Sequence, residues 1–239
     1  MSGLSVFLPC HNETANIERV VSGFLEQLPR FADRFEVIIV DDGSTDTTGQ
    51  IADRLAASDD RVRVVHHPVN RGYGGAVISG LRAATLPFVL LADGDGQFDP
   101  SDIGLLAPLA ANYDLVVGRR TRRADNLVRR LNGRAWTALV RVLFGIGIHD
   151  IDCGFKLFRR DLIDGIELRA RGAMISTELM ARLAARGARI CEVSVKHFPR
   201  LAGEQSGANL KVIGRAFAEL FALYRDLNSE GSSPPKSKT

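Results

Sequence analysis

Short apolar runs at residues 4–8, 36–40, 61–66, 88–92 and 114–117 recur along the first half of this chain, with helically spaced stretches such as 14–28 between them. Runs this short and this apolar read as buried strands. Strands that alternate with helices build a mostly parallel sheet wound on both faces. A sheet of that kind holds its ligands just beyond the carboxyl ends of its strands. Three of those ends carry acidic turns: Pro9-Cys10-His11-Asn12-Glu13, Asp41-Asp42-Gly43-Ser44 and Asp93-Gly94-Asp95-Gly96-Gln97. Each alone is what an ordinary surface turn would use. Gathered on one sheet edge, they can hold a nucleoside by carboxylate hydrogen bonds and its diphosphate through a metal ion. Asp93, Asp95 and Gln97 place hard oxygens at alternate positions, which suits Mg²⁺ or Mn²⁺ shared with substrate phosphates. The glycines between them allow tight turning and close approach of a ligand.

A chain of 239 residues, 45% hydrophobic and 25% charged, has the composition of a soluble globular protein with one α/β domain or two small ones. Lysine occurs only at Lys156, Lys196, Lys211, Lys236 and Lys238, so arginine supplies most of the 31 basic residues. A uniform arginine bias reflects genome composition, and only clusters of arginine bear on function. Cys10, Cys153 and Cys191 are odd in number and far apart, which fits a reducing compartment and no disulfide framework. Neither these cysteines nor His66, His67, His149 and His197 have metal-ligand spacing, so the histidines are read as structural or solvent-facing. The first residues lack a basic n-region, and no apolar stretch approaches the roughly 20 residues that span a bilayer. A soluble or peripheral protein without a signal peptide is expected.

Beyond about residue 121 the alternation is lost. The pattern predicts a long amphipathic helix over 127–144, a strand over 154–159, a helix over 176–186 and a strand over 188–195. A polar loop (197–207), a final helix (209–227) and a disordered Ser/Pro/Lys-rich tail (229–239) complete the chain. Ser44 or Thr45 is expected to cap the helix after the second strand. The Gly72-Tyr73-Gly74-Gly75 turn is not a dinucleotide fingerprint and suits close packing as well as a ligand. Arginines from Arg119 to Arg134 alternate with Leu127 and Leu131, and Trp136, Leu139, Leu143 and Phe144 follow. That mixture fits either a solvated face or, better, a basic helix at an anionic membrane surface. No base-stacking aromatic array accompanies the charge, so nucleic acid is not an expected partner. Glu178 is either a base for a hydroxyl acceptor or a carboxylate favoured by a helix N-terminus. Asp150 and Asp152 suit acceptor positioning and a turn equally.

The ordered motifs PCHNE, VDDGSTD, NRGYGGA, ADGDGQFDP, VVGRR and DCGFKLFRR resemble the family 2 inverting glycosyltransferases with a GT-A fold. Within them the chain is similar to the polyprenyl-phosphate sugar synthases, of which dolichyl-phosphate mannosyltransferase and glucosyltransferase are the familiar types. The resemblance runs from about residue 4 to residue 215. It implies one domain over 1–228, with a nucleotide-sugar half to about 120 and an acceptor half beyond. It places Pro9, His11, Glu13, Val40 and Asp42 around base and ribose, and Asp93 and Gly94 on the sugar nucleotide. Asp95 and Gln97 would bind the metal, and Arg120 and Arg200 would face phosphate. Asp93, Asp95, Arg120 and Arg200 are then the catalytic set. His11 stands where many relatives have Tyr. The loop FPRLAGEQSG is one residue longer than the family's R-x-x-G-x-S-K and has Gly207 in place of its Lys.

The implied reaction moves a hexose, from a donor of the GDP-mannose or UDP-glucose type, to polyprenyl phosphate with inversion. A polyprenyl phosphate is close to a dianion at pH 7, its second pKa being about 6, and so needs no dedicated base. Mg²⁺ or Mn²⁺ and the arginines need only offset charge on the departing diphosphate. A cytoplasmic enzyme at the inner face of an anionic membrane is implied, with a membrane-anchored partner subunit allowed for. The alternatives are a family 2 transferase acting on a hydroxyl and a non-catalytic nucleotide-sugar-binding subunit. A nucleotidyltransferase would need a Gly-rich N-terminal phosphate loop that is missing here.

Overall fold

A computed structural model describes residues 1–120, 127–199 and 210–231. The first half alternates as expected: β1 (Leu4–Cys10), α1 (Ile17–Gln27), β2 (Phe35–Asp41), α2 (Thr48–Ser58), β3 (Val62–His66), α3 (Tyr73–Ala83) and β4 (Phe88–Ala92). The short α4 (Ile103–Leu106) and β5 (Leu115–Arg120) follow, then α5 (Leu127–Phe144), β6 (Phe155–Arg159), α6 (Met174–Ala185), β7 (Ile190–Val195) and α7 (Leu210–Gly231). The sheet has 7 strands in the order β3-β2-β1-β4-β6-β5-β7. β1 to β4 are mutually parallel and β7 is parallel to β5, but β6 runs antiparallel between β4 and β5. The second half of the chain therefore inserts a strand into the middle of the sheet.

Burial explains these strands. Val37, Ile38, Ile39 and Val40 in β2 and Val89 to Ala92 in β4 are almost fully enclosed, as both faces of the sheet carry helices. β1 and β2 pair residue for residue from Leu4↔Phe35 to Cys10↔Asp41, so their acidic turns emerge side by side.

Several local expectations are corrected. The first helix starts at Ile17, after a turn, rather than at 14. Neither Ser44 nor Thr45 caps α2: Oδ1 of Asp46 accepts the Thr48 N–H at 2.9 Å, and Ser44 Oγ instead accepts the Asn12 N–H. α7 runs to Gly231, so Ser229 to Gly231 are helical where a tail was expected. Trp136, Leu139, Leu143 and Phe144 are not a free apolar face but pack on the core. Trp136 meets Phe217 edge-on at 5.6 Å and Phe144 meets Tyr224 at 6.0 Å, so α7 lies over that side of α5. On these two helices, the large apolar residues left outside among the described side chains are Leu131 and Val142 on α5 and Phe217, Phe221 and Tyr224 on α7. No described helix is long and apolar enough to cross a membrane.

Candidate active site

The Asp93–Gln97 turn leaves β4 beside the end of β1, and the Gly94 N–H donates to the Pro9 carbonyl at 3.3 Å. A side chain at Gly94 would overlap Cys10 Sγ. Gly96 has φ +73°, in the left-handed region that favours glycine. Oδ1 of Asp95 accepts the Gln97 N–H at 3.0 Å, which closes the turn.

Asp93 is fixed from two sides. Tyr73, at the start of α3, donates its hydroxyl to Oδ1 of Asp93 at 2.9 Å. Gly154, just before β6, lies so close that a Cβ there would overlap the Asp93 carboxylate, and its carbonyl accepts the Asp93 N–H at 3.1 Å. Burial, then repulsion from Asp95, raises the Asp93 pKa, while Tyr73, Lys156 and Arg120 pull it down. Lys156 is fully enclosed and donates to the Cys153 carbonyl and to Ser176 Oγ, and burial lowers its pKa. Neither Tyr73 nor Gly154 was singled out from sequence as an Asp93 partner.

A divalent cation would offset the repulsion that Asp95 exerts on the buried Asp93, and hard oxygens suit Mg²⁺ or Mn²⁺. Among the described residues, no group of three His, Cys, Asp or Glu side chains can enclose a metal. A cation held here would have to take further ligands from outside these side chains. The Gln97 side-chain amide donates to the Phe198 carbonyl at 2.9 Å, and the Phe198 N–H donates to the Gln97 carbonyl at 2.8 Å. These bonds tie the Asp93–Gln97 turn to the start of the 197–207 loop. Arg200, Gly203 and Gly207 in that loop lie outside the described residues.

At the neighbouring ends of β1 and β2, His11 is exposed and its Nδ1–H donates to the Asp42 carbonyl at 3.1 Å. The Glu13 N–H donates to Thr48 Oγ1 at 2.8 Å, and Oε2 of Glu13 accepts from Asn16 at 2.7 Å. Asp42 is buried; its Oδ1 pairs with Nδ1 of His67 at 2.6 Å and accepts the Arg71 N–H at 2.9 Å. Val40 is 0% exposed, so its side chain belongs to the core. Pro9, His11, Glu13, Asp42 and Asp93 to Gln97 do come together along one edge.

Arg120, at the end of β5, is held by Asp150: Nε and NH2 reach the carboxylate at 2.8 and 2.7 Å. Burial opposes the guanidinium charge, but Asp150 outweighs it and the pKa is raised. A phosphate facing Arg120 would have to share it with Asp150, whose role is thereby assigned to this pair. Glu178 is buried, and its oxygens accept from the Arg169 and Ala170 N–H groups at 2.9 and 2.8 Å and from Arg182 Nε at 3.0 Å. It sits in the second turn of α6 and anchors a loop, which removes both the base and the helix-terminus readings. His66 bridges Asp41 and Asp53 at 3.0 and 2.9 Å.

Comparison with known proteins agrees with this geometry. The chain is 32% identical over 222 residues to the polyprenol monophosphomannose synthase of Mycolicibacterium smegmatis, covering 86% of this chain and 82% of that one. It is 35% identical to glycosyltransferase AglD of Haloferax volcanii over 82% of this chain, but spans only 33% of that longer protein. Glucosyl-3-phosphoglycerate synthase from Mycobacterium tuberculosis, solved with Mn²⁺, UDP and glucosyl-3-phosphoglycerate, shares the fold. Its TM-score is 0.70 at 23% identity, covering 99% of this chain and 82% of that one. The pattern of Glycosyl transferase family 2 matches residues 5–166. That span takes in β1 through β6 with every acidic turn described above, and the chain belongs to glycosyltransferase family 2.

Proposed function

We propose that this chain transfers a hexosyl group from a nucleoside diphosphate sugar to a polyprenyl phosphate, with inversion at the anomeric carbon. The observation that carries the reading is the Asp93–Asp95–Gln97 turn, clamped by Tyr73 and Gly154 beside the acidic ends of β1 and β2. His11, Glu13 and Asp42 line the nucleoside end. Asp95 and Gln97 would hold Mg²⁺ or Mn²⁺, which when bound would offset charge on the diphosphate. A phosphate oxygen of the acceptor attacks the anomeric carbon, the carbon–oxygen bond to the diphosphate breaks, and the nucleoside diphosphate leaves with that electron pair. No proton has to be removed from the acceptor. A hydroxyl acceptor would need a base, and Glu178, saturated by three donors, is not one.

The membrane side of the reading rests on α5, which carries Arg129, Arg130, Arg134 and Arg141 and no acidic residue, with the exposed aromatics of α7 alongside. Arg200 is the residue proposed to meet the acceptor phosphate. The test offers GDP-mannose and UDP-glucose with Mn²⁺ to the protein, with polyprenyl phosphate or the free polyprenol as acceptor. Product from the phosphate alone is expected, with a large loss of transfer but little change in nucleotide affinity in Arg200→Ala. Product from the polyprenol alone would replace this reading with the hydroxyl-acceptor one.

A further inference from the structure

We propose that a cleft on the outer side of α3 is a second anion site that takes a phosphate group, and that Ser79, His67 and Asp42 connect it to the nucleoside end of the first. α3 turns Ala76, Val77 and Leu81 inward, and Gly80 lies directly on the ring of Phe7. Its opposite side, with Ile78, Ser79 and Arg82, faces the segment 168–171 across a cleft of about 680 Å³. That is the size of small-molecule pockets.

Four arginines line this cleft, Arg71, Arg82, Arg169 and Arg171, and no acidic residue does. Arg169 pairs with Glu167 at 3.1 Å and lies 4.0 Å from Asp226; among the described residues no carboxylate pairs with the other three. Like charges gathered in this way repel one another, and an anion relieves that repulsion. Guanidinium forks match phosphate oxygens two at a time. The cleft is also held open by structure rather than by chance contacts. Glu178 fixes the N–H groups of Arg169 and Ala170, and the Arg171 carbonyl accepts the Gly74 N–H at 2.8 Å.

Ser79 provides the connection. It lines the cleft, and its Oγ lies 2.8 Å from Nε2 of His67, whose Nδ1 is 2.6 Å from Oδ1 of Asp42. The same oxygen accepts the N–H of Arg71, so Arg71 belongs to both places. A hydroxyl that turns toward an anion changes what His67 and then Asp42 can hold. Occupancy of the cleft thus alters nucleotide affinity, and by linkage the reverse. This connection rests on the proposed function; the anion site does not.

Calorimetry with inorganic pyrophosphate, in chelator, tests the site on the whole protein. Wild type is expected to bind, and Arg82→Ala/Arg169→Ala to bind at least tenfold more weakly, while Arg54→Ala on α2 behaves as wild type. Vesicles of phosphatidylcholine with and without phosphatidic acid separate a lipid headgroup from a soluble phosphate as the source. Vesicle binding lost in the double variant, without pyrophosphate binding, assigns the headgroup. Pyrophosphate binding and vesicle binding that both ignore the double variant overturn the site. For the connection, GDP and UDP affinities are measured with and without pyrophosphate. Wild type should show a shift that the double variant and Ser79→Ala both lack, with Ser79→Ala measured at pyrophosphate concentrations that saturate its own site. A shift that persists in Ser79→Ala overturns the connection. If neither nucleotide binds, the connection falls together with the proposed function, and the anion site is judged on pyrophosphate alone.

Discussion

The hydroxyl of Tyr73 and the carboxylate of Asp93, 20 positions apart in sequence, are joined by a 2.9 Å hydrogen bond from the start of α3 to the end of β4. That bond orients a carboxylate that burial and Asp95 would otherwise push toward its neutral form. Tyr73→Phe removes the donor without changing the ring's packing. A hydrogen bond to a charged group is worth about 1.5–3 kcal/mol, so transfer should fall by roughly one to two orders of magnitude. The denaturation midpoint should fall as well, because the buried Asp93 carboxylate loses a donor. Unchanged turnover in Tyr73→Phe would show that Asp93 is positioned by other groups.

Asp95→Ala should remove transfer by at least about two orders of magnitude, because the cation loses a protein ligand. Circular dichroism should report an unchanged fold. Wild-type activity should vanish in chelator and return on adding Mg²⁺ or Mn²⁺. Activity in the variant that survives chelator would rule out the metal assignment.

Gly154→Ala places a methyl group against the Asp93 carboxylate, which cannot retreat from Tyr73. Overpacking of this kind costs about 1–3 kcal/mol, read as a lower urea midpoint. Transfer should fall as well, since the displaced group is Asp93. A variant with wild-type stability and rate would mean the turn yields freely.

His66 lies between two carboxylates: Asp53 does most to raise its pKa above the ordinary 6.5, burial offsets part of that, and Asp41 adds to the rise. A group whose folded pKa is raised stabilises fully below its unfolded pKa, and that stability is lost as pH climbs through the folded value. The midpoint difference between wild type and His66→Gln should therefore shrink as pH rises above about 6.5. A difference constant from pH 6 to 8 would remove His66 from the account.

Much of this arrangement is readable in the amino-acid order, and the unreadable parts share a cause. β1, β2, β4 and β5 announce themselves because strands buried on both faces are nearly continuously apolar, and acidic turns stand out at the ends of three of the strands. The direction of β6 does not, since a five-residue run such as Phe155–Arg159 carries no mark of which way it enters a sheet. Tyr73 sat in a glycine turn that suited packing and a ligand equally, and neither reading named Asp93 as its partner. The apolar side of α5 was legible as a pattern, but a pattern names no neighbour, and α7 takes the place given to a membrane. Glu178 fails as a base for the same reason, because its three donors come from a segment whose path only the fold reveals.

The antiparallel strand β6, inserted between β4 and β5, also governs how the chain can be made. Until residue 159 has emerged from a ribosome, β4 and β5 have no partner in common, and each presents an unpaired edge. The sheet can close only when the carboxyl-terminal half arrives, so a fragment cut after β5 is expected to aggregate rather than fold. The stretches before and after residue 120 are inseparable as folding units, and domain-swapping between relatives must exchange β6 together with β4 and β5.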